Sequence, residues 1–259
     1  MTKDDAIGHA AEVLAASNHA VVLTGAGHST PSGIPDFRSP GSGLWSQADP
    51  MEVGSIFGFR RRPEAFYEWI RPLARKMMEA EPNPAHLAVA ELERAGIVKA
   101  VITQNIDGLH QRAGSSKVLE LHGTVERATC TRCGCETAMA DMWHAFVATG
   151  DMPLCPNCRG LLKPNVVLFG ELLPVDVLSE AEAEARLCDV MIVAGSSLEV
   201  YPAADLPRQA LRHGARLIIV NYEPTAIDAQ ATTVIHDDVA AALPQLASRV
   251  KAIRGSDPP

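Results

Sequence analysis

Two apolar segments in the middle of the chain each end in side chains that can do chemistry. AVI at 100–102 is followed by the polar stretch TQNIDG, and VLEL at 118–121 is followed by HG. Because the carboxyl ends of parallel strands share one edge of a sheet, ligands bind along that edge. Asn105, Asp107 and His122 would meet there and supply an amide, a carboxylate and an imidazole. We therefore predict that these three residues are catalytic.

His122 is the candidate for proton transfer, because histidine is the side chain that titrates near neutral pH. The alternative is a histidine at a strand end that only bonds the backbone. His110, just past the polar stretch, is open to either interpretation. Five other histidines lack such neighbours and are interpreted as solvated or packing residues: His9, His19, His86, His144 and His213.

A glycine-rich turn follows the first apolar strand, at 19–24, in the layout of a dinucleotide site. Gly25, Ala26 and Gly27 would let phosphate approach the backbone and its N–H groups. The turn is GAGHS rather than GxGxxG, however, and no helical pattern follows it. The next stretch, TPSGIPDFRSPGSGLW, is a long loop, and loops of this length are usually functional or disordered. The Asp, Phe and Arg within it favour a functional loop.

Two later apolar strands also end in polar residues, at GSS (195–197) and NYE (221–223). In a nucleotide-binding sheet, serine hydroxyls and backbone N–H groups at such ends contact phosphate or ribose, and Asn or Glu takes ribose hydroxyls. Ordinary turn and capping chemistry would explain the same residues. Each motif alone is therefore weak.

Four cysteines form two CxxC pairs, the strongest single signal in the chain. Such pairs can arrange four thiolates tetrahedrally around zinc, and a site filled by four protein ligands is structural. Cys135 lies close enough to compete as a ligand, although we favour the paired residues, and Cys188 is interpreted as core. The predicted zinc ligands are Cys130, Cys133, Cys155 and Cys158.

Hydrophobic periodicity indicates alternating helices and strands around the cysteine segment. It predicts helices at 4–17, two within 63–95, and others at 176–188, 203–213 and 238–250. It predicts strands at 19–24, 100–102, 118–121, 166–169, 189–194 and 216–221. This alternation is typical of an α/β fold with a doubly wound parallel sheet. We predict that residues 1–123 and 164–259 form it and that 124–163 is a small inserted domain.

Composition excludes several other classes of protein. The 259 residues are 47% hydrophobic, as in globular proteins, and their net charge of -8 argues against a nucleic-acid scaffold. No apolar run reaches the roughly 20 residues that span a bilayer. The N-terminal sequence lacks a secretory pattern, so we expect a cytoplasmic protein without a membrane partner. Six cysteines in that compartment favour metal ligands or free thiols over disulfides.

From Val21 to Val239 the chain resembles the sirtuin family of NAD-dependent protein deacylases, in particular the bacterial-type deacetylases. The resemblance rests on ordered motifs: GAGHSTPSGIPDFRSP, TQNIDGLH, LELHG, the CxxC pairs, KPNVVLFGE, GSSLEVYPA and VNYEP. It implies a Rossmann-like domain and a small zinc-ribbon domain holding one structural zinc ion. It also implies that NAD, as co-substrate, and an acyl-lysine protein or peptide enter the cleft between the domains. The oligomeric state stays open, and a monomer is compatible with the chain.

The resemblance also implies roles for individual residues. Asp107 and the Ile106 backbone would hold the carboxamide of nicotinamide, and His122 would be the general base. Together with the glycine turn and Glu223, the predicted NAD site comprises Gly25, Ala26, Gly27, Thr30, Phe37, Arg38, Gln104, Asn105, Ile106, Asp107, Gly195, Ser196, Ser197, Asn221, Glu223, Asp238 and Val239. The predicted acyl-lysine tunnel is flanked by Val167, Phe169, Gly170 and Val200.

The implied reaction transfers the acyl group from lysine to ADP-ribose. The acyl oxygen attacks C1′ of the ribose as nicotinamide leaves, and His122 then takes a proton from a ribose hydroxyl. The products are nicotinamide, lysine and 2′-O-acyl-ADP-ribose. Transfer of ADP-ribose to protein and an NAD-sensing interaction module are the alternatives.

Two features of the chain depart from patterns known in the family. His28 occupies a position of GAGxS that is usually small or aliphatic. Tyr67 and Arg71 are four residues apart, whereas the desuccinylase branch spaces its Tyr and Arg by three, and we interpret them as an exposed helix pair. Acetyl is therefore favoured over succinyl as the acyl group.

Overall fold

The computed structural model describes residues 2–36, 43–44 and 48–255 of the chain. The α-helices are α1 Lys3–Ala15, α2 Pro50–Val53, α3 Ile56–Arg61, α4 Pro63–Glu79, α5 Pro84–Arg94, α6 Leu109–Ala113, α7 Ala140–Thr149, α8 Val175–Leu187, α9 Leu206–Arg212 and α10 Val239–Gly255. The strands are β1 Ala20–Thr24, β2 Val98–Thr103, β3 Val118–Glu120, β4 Gly123–Cys130, β5 Glu136–Ala138, β6 Leu162–Val166, β7 Val190–Ala194, β8 Arg216–Val220 and β9 Thr233–Ile235. No helix within these ranges is both long and apolar enough to cross a membrane.

The main sheet of the described chain has six strands in the order β3-β2-β1-β7-β8-β9. Every neighbouring pair in it is parallel. The chain builds outward from β1 through β2 to β3, returns to the other side of β1, and builds outward again through β7. The strand order thus reverses between β1 and β7, which is where doubly wound sheets bind ligands. The predicted fold class is confirmed.

Helices cover both faces of this sheet, which is why its central strands are apolar without alternation. On one face, α1, α5 and α10 pack against residues such as Val22 and Ile192. On the other, α8 and α9 pack against Leu23 and Val193. Burial on both faces leaves only the strand ends open to ligands.

A second, antiparallel sheet in the order β5-β4-β6 carries the cysteine pairs. Its hydrophobic cluster includes Trp143 and Phe146 of α7, but also Phe59 of α3 and Phe66 and Tyr67 of α4. The aromatic rings of Tyr67 and Phe146 meet edge to face at 5.2 Å between centroids. Helices α3 and α4 therefore pack with the small sheet although they precede it by about 60 residues. The boundaries of the predicted insert, 124–163, remain a prediction.

The structure corrects one predicted strand and adds elements that periodicity missed. The strand predicted at 166–169 is instead β6, Leu162–Val166, in the small sheet, and Phe169 forms an isolated bridge with Ser55. The prediction followed the apolar residues at the end of KPNVVLF, whereas antiparallel pairing with β4 sets the position of the actual strand. Helix α7 lies within the cysteine segment, where the periodicity predicted no helix. It was missed because it is short and has only one buried face.

Gly123 begins β4 shortly after the last strand of the first half of the main sheet, and its backbone closely approaches β6. Its φ is +72°, and an added Cβ would lie 2.0 Å from the carbonyl oxygen of Asn165. Gly114 has φ +100° but nothing within 4 Å of an added Cβ. We predict that Gly114→Ala lowers the free energy of unfolding by about 1–2 kcal/mol, the cost of a left-handed alanine. Gly123→Ala should lose at least about 3 kcal/mol, because the backbone must also move.

Urea denaturation of the two variants and the wild type measures this difference. Equal losses in the two variants would mean that the structure around Gly123 accommodates a side chain.

Candidate active site

The turns that follow β1 and β7 press directly against each other at the reversal of strand order. The N–H of Gly27 donates to the carbonyl of Gly195 at 2.9 Å. A Cβ on Gly25 would lie 2.9 Å from the Gly195 carbonyl oxygen, and one on Gly195 would lie 2.2 Å from the backbone nitrogen of His28. Glycine is therefore required on both sides. The two predicted nucleotide motifs, 25–27 and 195–197, form one backbone cradle of the kind that accepts phosphate.

Asn105 and Asp107 belong to one hydrogen-bonded network, centred on Ser29. The Asn105 amide donates to the Gly25 carbonyl and to Ser29 Oγ, each at 3.0 Å. Ser29 Oγ donates in turn to Asp107 Oδ2 at 2.7 Å. Asp107 Oδ1 accepts the backbone N–H of Leu109 at 2.9 Å. The network fixes the amide and the carboxylate predicted to be catalytic, and it ties both to the glycine turn.

Ser29 was not among the predicted site residues, although it lies within the GAGHS motif. A serine in a Ser- and Gly-rich loop resembles a turn residue, and its two partners are more than 70 residues away in sequence. Thr30, which was predicted, donates to the Gly27 carbonyl at 3.1 Å and supports the turn.

His122 is joined to the same edge of the sheet through Gln104. Its Nδ1 lies 3.0 Å from the Gln104 carbonyl, so Nδ1 must carry the proton and donate. The other ring nitrogen, Nε2, then holds the lone pair that a general base needs. Gln104 extends its own amide to Ser196 Oγ at 3.0 Å. The predicted base is thus connected to the β7 turn across the strands between them.

Burial raises the pKa of the Asp107 carboxyl, and the N–H of Leu109 and the hydroxyl of Ser29 oppose this shift. Burial also raises the pKa of Glu120, two residues before His122, to about 7. A hydrogen bond from Gln111 lowers it, while the carboxylates of Glu126 and Asp107 raise it further. Asp107 and Glu120 therefore stay protonated to a higher pH than ordinary carboxyl groups.

Four residues of the predicted NAD site, Asn221, Glu223, Asp238 and Val239, lie just beyond the ends of β8 and β9. Asn221 is buried and donates to the Glu223 carbonyl at 2.7 Å, so it also shapes the turn. Asp238 accepts the N–H of Ala240 at 2.7 Å and caps α10, whose first residue, Val239, is buried. These contacts are the capping chemistry that the sequence left as the alternative, and they place the residues at the same sheet edge.

Three of the predicted acyl-lysine residues, Val167, Phe169 and Gly170, follow directly after β6. The N–H of Val167 donates to the His122 carbonyl at 2.8 Å, which sets this segment beside the base. Phe169 is 39% exposed and exchanges backbone hydrogen bonds with Gly54 and Ile56. Gly170 packs against Phe57, which is exposed and was not predicted. Val200 is half-buried beyond the β7 turn.

Phe37 and Arg38, the remaining residues predicted to bind NAD, lie outside the described residues. Tyr67 and Arg71 do not form an exposed helix pair as we had interpreted them. Tyr67 is buried and donates to the Leu162 carbonyl, and Arg71 donates to the Val147 carbonyl at 2.8 Å. Both side chains are used to hold α4 against the small sheet.

The four cysteines of the CxxC pairs converge on one point. The sulfurs of Cys130 and Cys158 are 3.5 Å apart, and those of Cys133 and Cys155 are 3.7 Å apart. Thiolates at tetrahedral zinc, with Zn–S near 2.3 Å, would be about 3.8 Å apart, so the set fits the ion. Backbone N–H groups, that of Cys133 foremost, lower the pKa of Cys130. Cys135 lies outside the quartet and accepts from Asn157.

The Sir2 family model matches residues 25–202, which span the glycine turn, the catalytic strands, the cysteine pairs and the β7 turn. The chain is a member of the Sir2 family. An NAD-dependent protein deacylase of Archaeoglobus fulgidus is 53% identical over 255 residues, covering 97% of this chain and 98% of that protein.

Solved Sir2 enzymes share the fold at high identity. One, from work on the mechanism and regulation of Sir2 enzymes, has a TM-score of 0.91 and 52% identity, covering 97% of this chain and all of that one (100%). Another carries a histidine-to-alanine substitution and binds a deacetylated p53 peptide and 3′-O-acetyl-ADP-ribose. It has a TM-score of 0.86 and 44% identity, covering 98% and 99% of the two chains.

Glu120 should make the protein less stable as the pH rises. Its pKa is about 7 in the folded state against an ordinary 4.5, so the folded chain binds this proton more tightly than the unfolded chain. The free energy of unfolding should therefore fall as the pH rises from about 4.5 to 7. Glu120→Gln should reduce that fall, as measured by urea denaturation across this range. Glu64→Gln, at an exposed position of α4, is the control, and equal pH dependence in both variants would contradict the assignment.

Zinc should hold the small sheet together. Cys155→Ser removes a fully buried ligand and should lower the melting temperature by about 5 °C or more, on the scale of about 2–4 °C per kcal/mol for a chain of this size. Chelation should have the same effect on the wild type. Cys135→Ser, the matched control, should keep its zinc and the wild-type melting temperature. Unchanged stability after complete zinc removal, verified by elemental analysis, would show that the quartet has no structural metal.

Proposed function

We propose that this protein is an NAD-dependent protein lysine deacylase that transfers the acyl group of acyl-lysine to ADP-ribose. The observation that carries the proposal is the tautomer of His122, whose Nδ1–H is held by the Gln104 carbonyl so that Nε2 can accept a proton. This base stands beside a glycine cradle and a fixed amide–carboxylate pair, at the strand-order reversal. An NAD-sensing module would have no need of the base.

The cradle supports the assignment of NAD as co-substrate. The approach of Gly25 and Gly27 to Gly195 leaves no room for side chains, so a phosphate could come close to the backbone there. Asn105 and Asp107 lie at the adjacent strand end, where they would orient the ribose and the nicotinamide carboxamide. The A. fulgidus relative is named for its NAD dependence, and the p53-peptide neighbour holds the acetylated ADP-ribose.

Each residue then has a defined task. Asp107 and the Ile106 backbone hold the carboxamide, and the Ser29 network keeps Asp107 and Asn105 in place. Val167, Phe169, Gly170 and Val200 flank the acyl-lysine and exclude water, so that the acyl oxygen is aimed at the ribose carbon. His122 accepts a proton from a ribose hydroxyl, which then attacks the acyl carbon. The lysine then leaves as the free amine, and a water molecule hydrolyses the cyclic product of this attack. The products are nicotinamide, the free lysine and 2′-O-acyl-ADP-ribose.

Acetyl is the acyl group that we favour over succinyl. A succinyl chain needs a cation at the tunnel, but the Arg71 guanidinium donates to the α7 carbonyls and the Tyr67 hydroxyl to Leu162. We also place the protein in the cytoplasm, because its paired cysteines form a metal set and the cytoplasm disfavours disulfides.

Loss of the base should abolish turnover without loss of the fold. His122→Ala should reduce turnover at least about 100-fold, the usual contribution of a positioned base. His144→Ala, at an exposed position of α7, is the matched control and should deacylate at the wild-type rate. The measurement is mass spectrometry of free nicotinamide and acyl-ADP-ribose from NAD and an acetyl-lysine peptide, with NAD binding followed by calorimetry.

The same assay separates the alternatives. ADP-ribose attached to protein, with the peptide still acetylated, would favour the transferase. A His122→Ala variant that deacylates at a near-normal rate would overturn the assignment of the base.

A further inference from the structure

Three imidazoles lie together in the interior, next to the active site but not part of it. His28 belongs to the turn after β1, His86 to the first turn of α5, and His110 to α6. Their side chains are buried, with exposures of 0%, 0% and 1%. The ring centroids are 4.6 to 4.9 Å apart in all three pairs. No task in the proposed reaction uses this cluster.

The cluster holds nitrogen atoms that lack hydrogen-bond partners among the described residues. They are Nδ1 and Nε2 of His28, Nε2 of His86 and Nδ1 of His110. Buried polar atoms are almost always paired with protein, water or a ligand. Four such atoms in one cluster therefore point to a bound group that bridges the rings.

The surroundings leave the nitrogens able to act as ligands. The Thr24 hydroxyl donates to Thr103, so it must accept from Nε2 of His110, which leaves the lone pair of that ring on Nδ1. A hydroxyl that holds the far nitrogen of the ring in this way orients a histidine for metal binding through its other nitrogen. Burial lowers the pKa of all three rings, and neutral imidazoles are the form that binds metals.

His86 needs one rearrangement. Its Nδ1 accepts the backbone N–H of Asn83 at 3.3 Å, a long bond, so its proton is on Nε2 in the metal-free protein. Moving that proton to Nδ1 gives up this bond and frees Nε2 as a ligand. The shorter bond of the cap, from Ala85 N–H to the Asn83 side chain at 2.9 Å, is unaffected.

We propose that His28, His86 and His110 form a second metal site, which binds one divalent transition-metal ion of the zinc class. One nitrogen from each ring lies within 4.8 Å of the other two. Zinc with Zn–N near 2.0–2.1 Å would bring them to about 3.4 Å, which requires shifts of about 1 Å. Three imidazoles suit Zn²⁺, Co²⁺ or Ni²⁺, and a water would complete four-coordination.

Such an ion would connect the turn after β1, which belongs to the predicted NAD site, to helices α5 and α6. His28 lies beside Gly27 in the cradle, and its carbonyl accepts the Asn83 side chain at the start of α5. His110 follows the Asp107 loop, at the start of α6. The metal would therefore make the turn after β1 and the start of α6 more rigid beside the active site. This effect does not depend on which reaction the site catalyses.

Metal stoichiometry tests the proposal. Protein saturated with Zn²⁺ and passed through gel filtration should contain two zinc ions per chain by elemental analysis, one in the cysteine quartet and one here. His28→Leu should contain one, with circular dichroism unchanged, because leucine fills the space without orphaned nitrogens. His86→Gln should also contain one. His144→Ala, which removes an exposed histidine, should still contain two.

Cobalt provides a readout that separates the two sites. Co²⁺ in the quartet gives thiolate charge-transfer absorption, whereas Co²⁺ bound by three imidazoles adds visible bands without it. Those added bands should vanish in His28→Leu and persist in Cys155→Ser. A single zinc ion in the wild type, or a second ion retained in folded His28→Leu, would overturn the proposal. None of these measurements depends on deacylation.

Discussion

Close contact between the β1 and β7 turns is the constraint on which the active site depends. The Gly27 N–H reaches the Gly195 carbonyl, and a Cβ on Gly195 would overlap the backbone of His28. Two strands that are adjacent in the sheet but about 170 residues apart in sequence thus share one backbone surface. A glycine loses more conformational freedom on folding than other residues, so this arrangement costs stability. It places a backbone surface without side chains at the point where the strand order reverses, which is where doubly wound sheets bind ligands.

Polar side chains then extend this cradle across the sheet edge. Ser29 links the glycine turn to Asn105 and Asp107, and Gln104 links the β7 turn to His122. Each buried group in this network has a partner, so the groups are held in position before a substrate arrives. The hydrogen bond from Nδ1 to the Gln104 carbonyl fixes both the tautomer and the orientation of the His122 ring. The predicted base therefore needs no ring rotation during the reaction. The protein therefore holds the described side chains of the site in place before the co-substrate enters.

The neighbouring histidine cluster shows the opposite condition. His28, His86 and His110 are more deeply buried than Asn105, Asp107 and His122, yet four of their nitrogens have no partner among the described residues. The small sheet shows a similar contrast, because the apolar cluster that contains Tyr67 and Phe146 also contains Cys130 and Cys155, two of the four converging cysteines. In both places, several groups that favour a metal ion are brought together by elements distant in sequence. Hydrophobic packing alone does not satisfy such groups, whereas an ion does.

The sequence by itself determined the sheet, the strand ends that carry chemistry and the paired cysteines, because these follow from local period and spacing. Asn105, Asp107 and His122 were predicted in this way. Only the tertiary structure decided that Ser29 joins Asn105 to Asp107, that Tyr67 and Arg71 serve packing, and that β6 ends before Phe169. The histidine cluster was invisible to spacing, since its members lie on three separate elements. Contacts between residues far apart in the chain depend on packing, which no local pattern records.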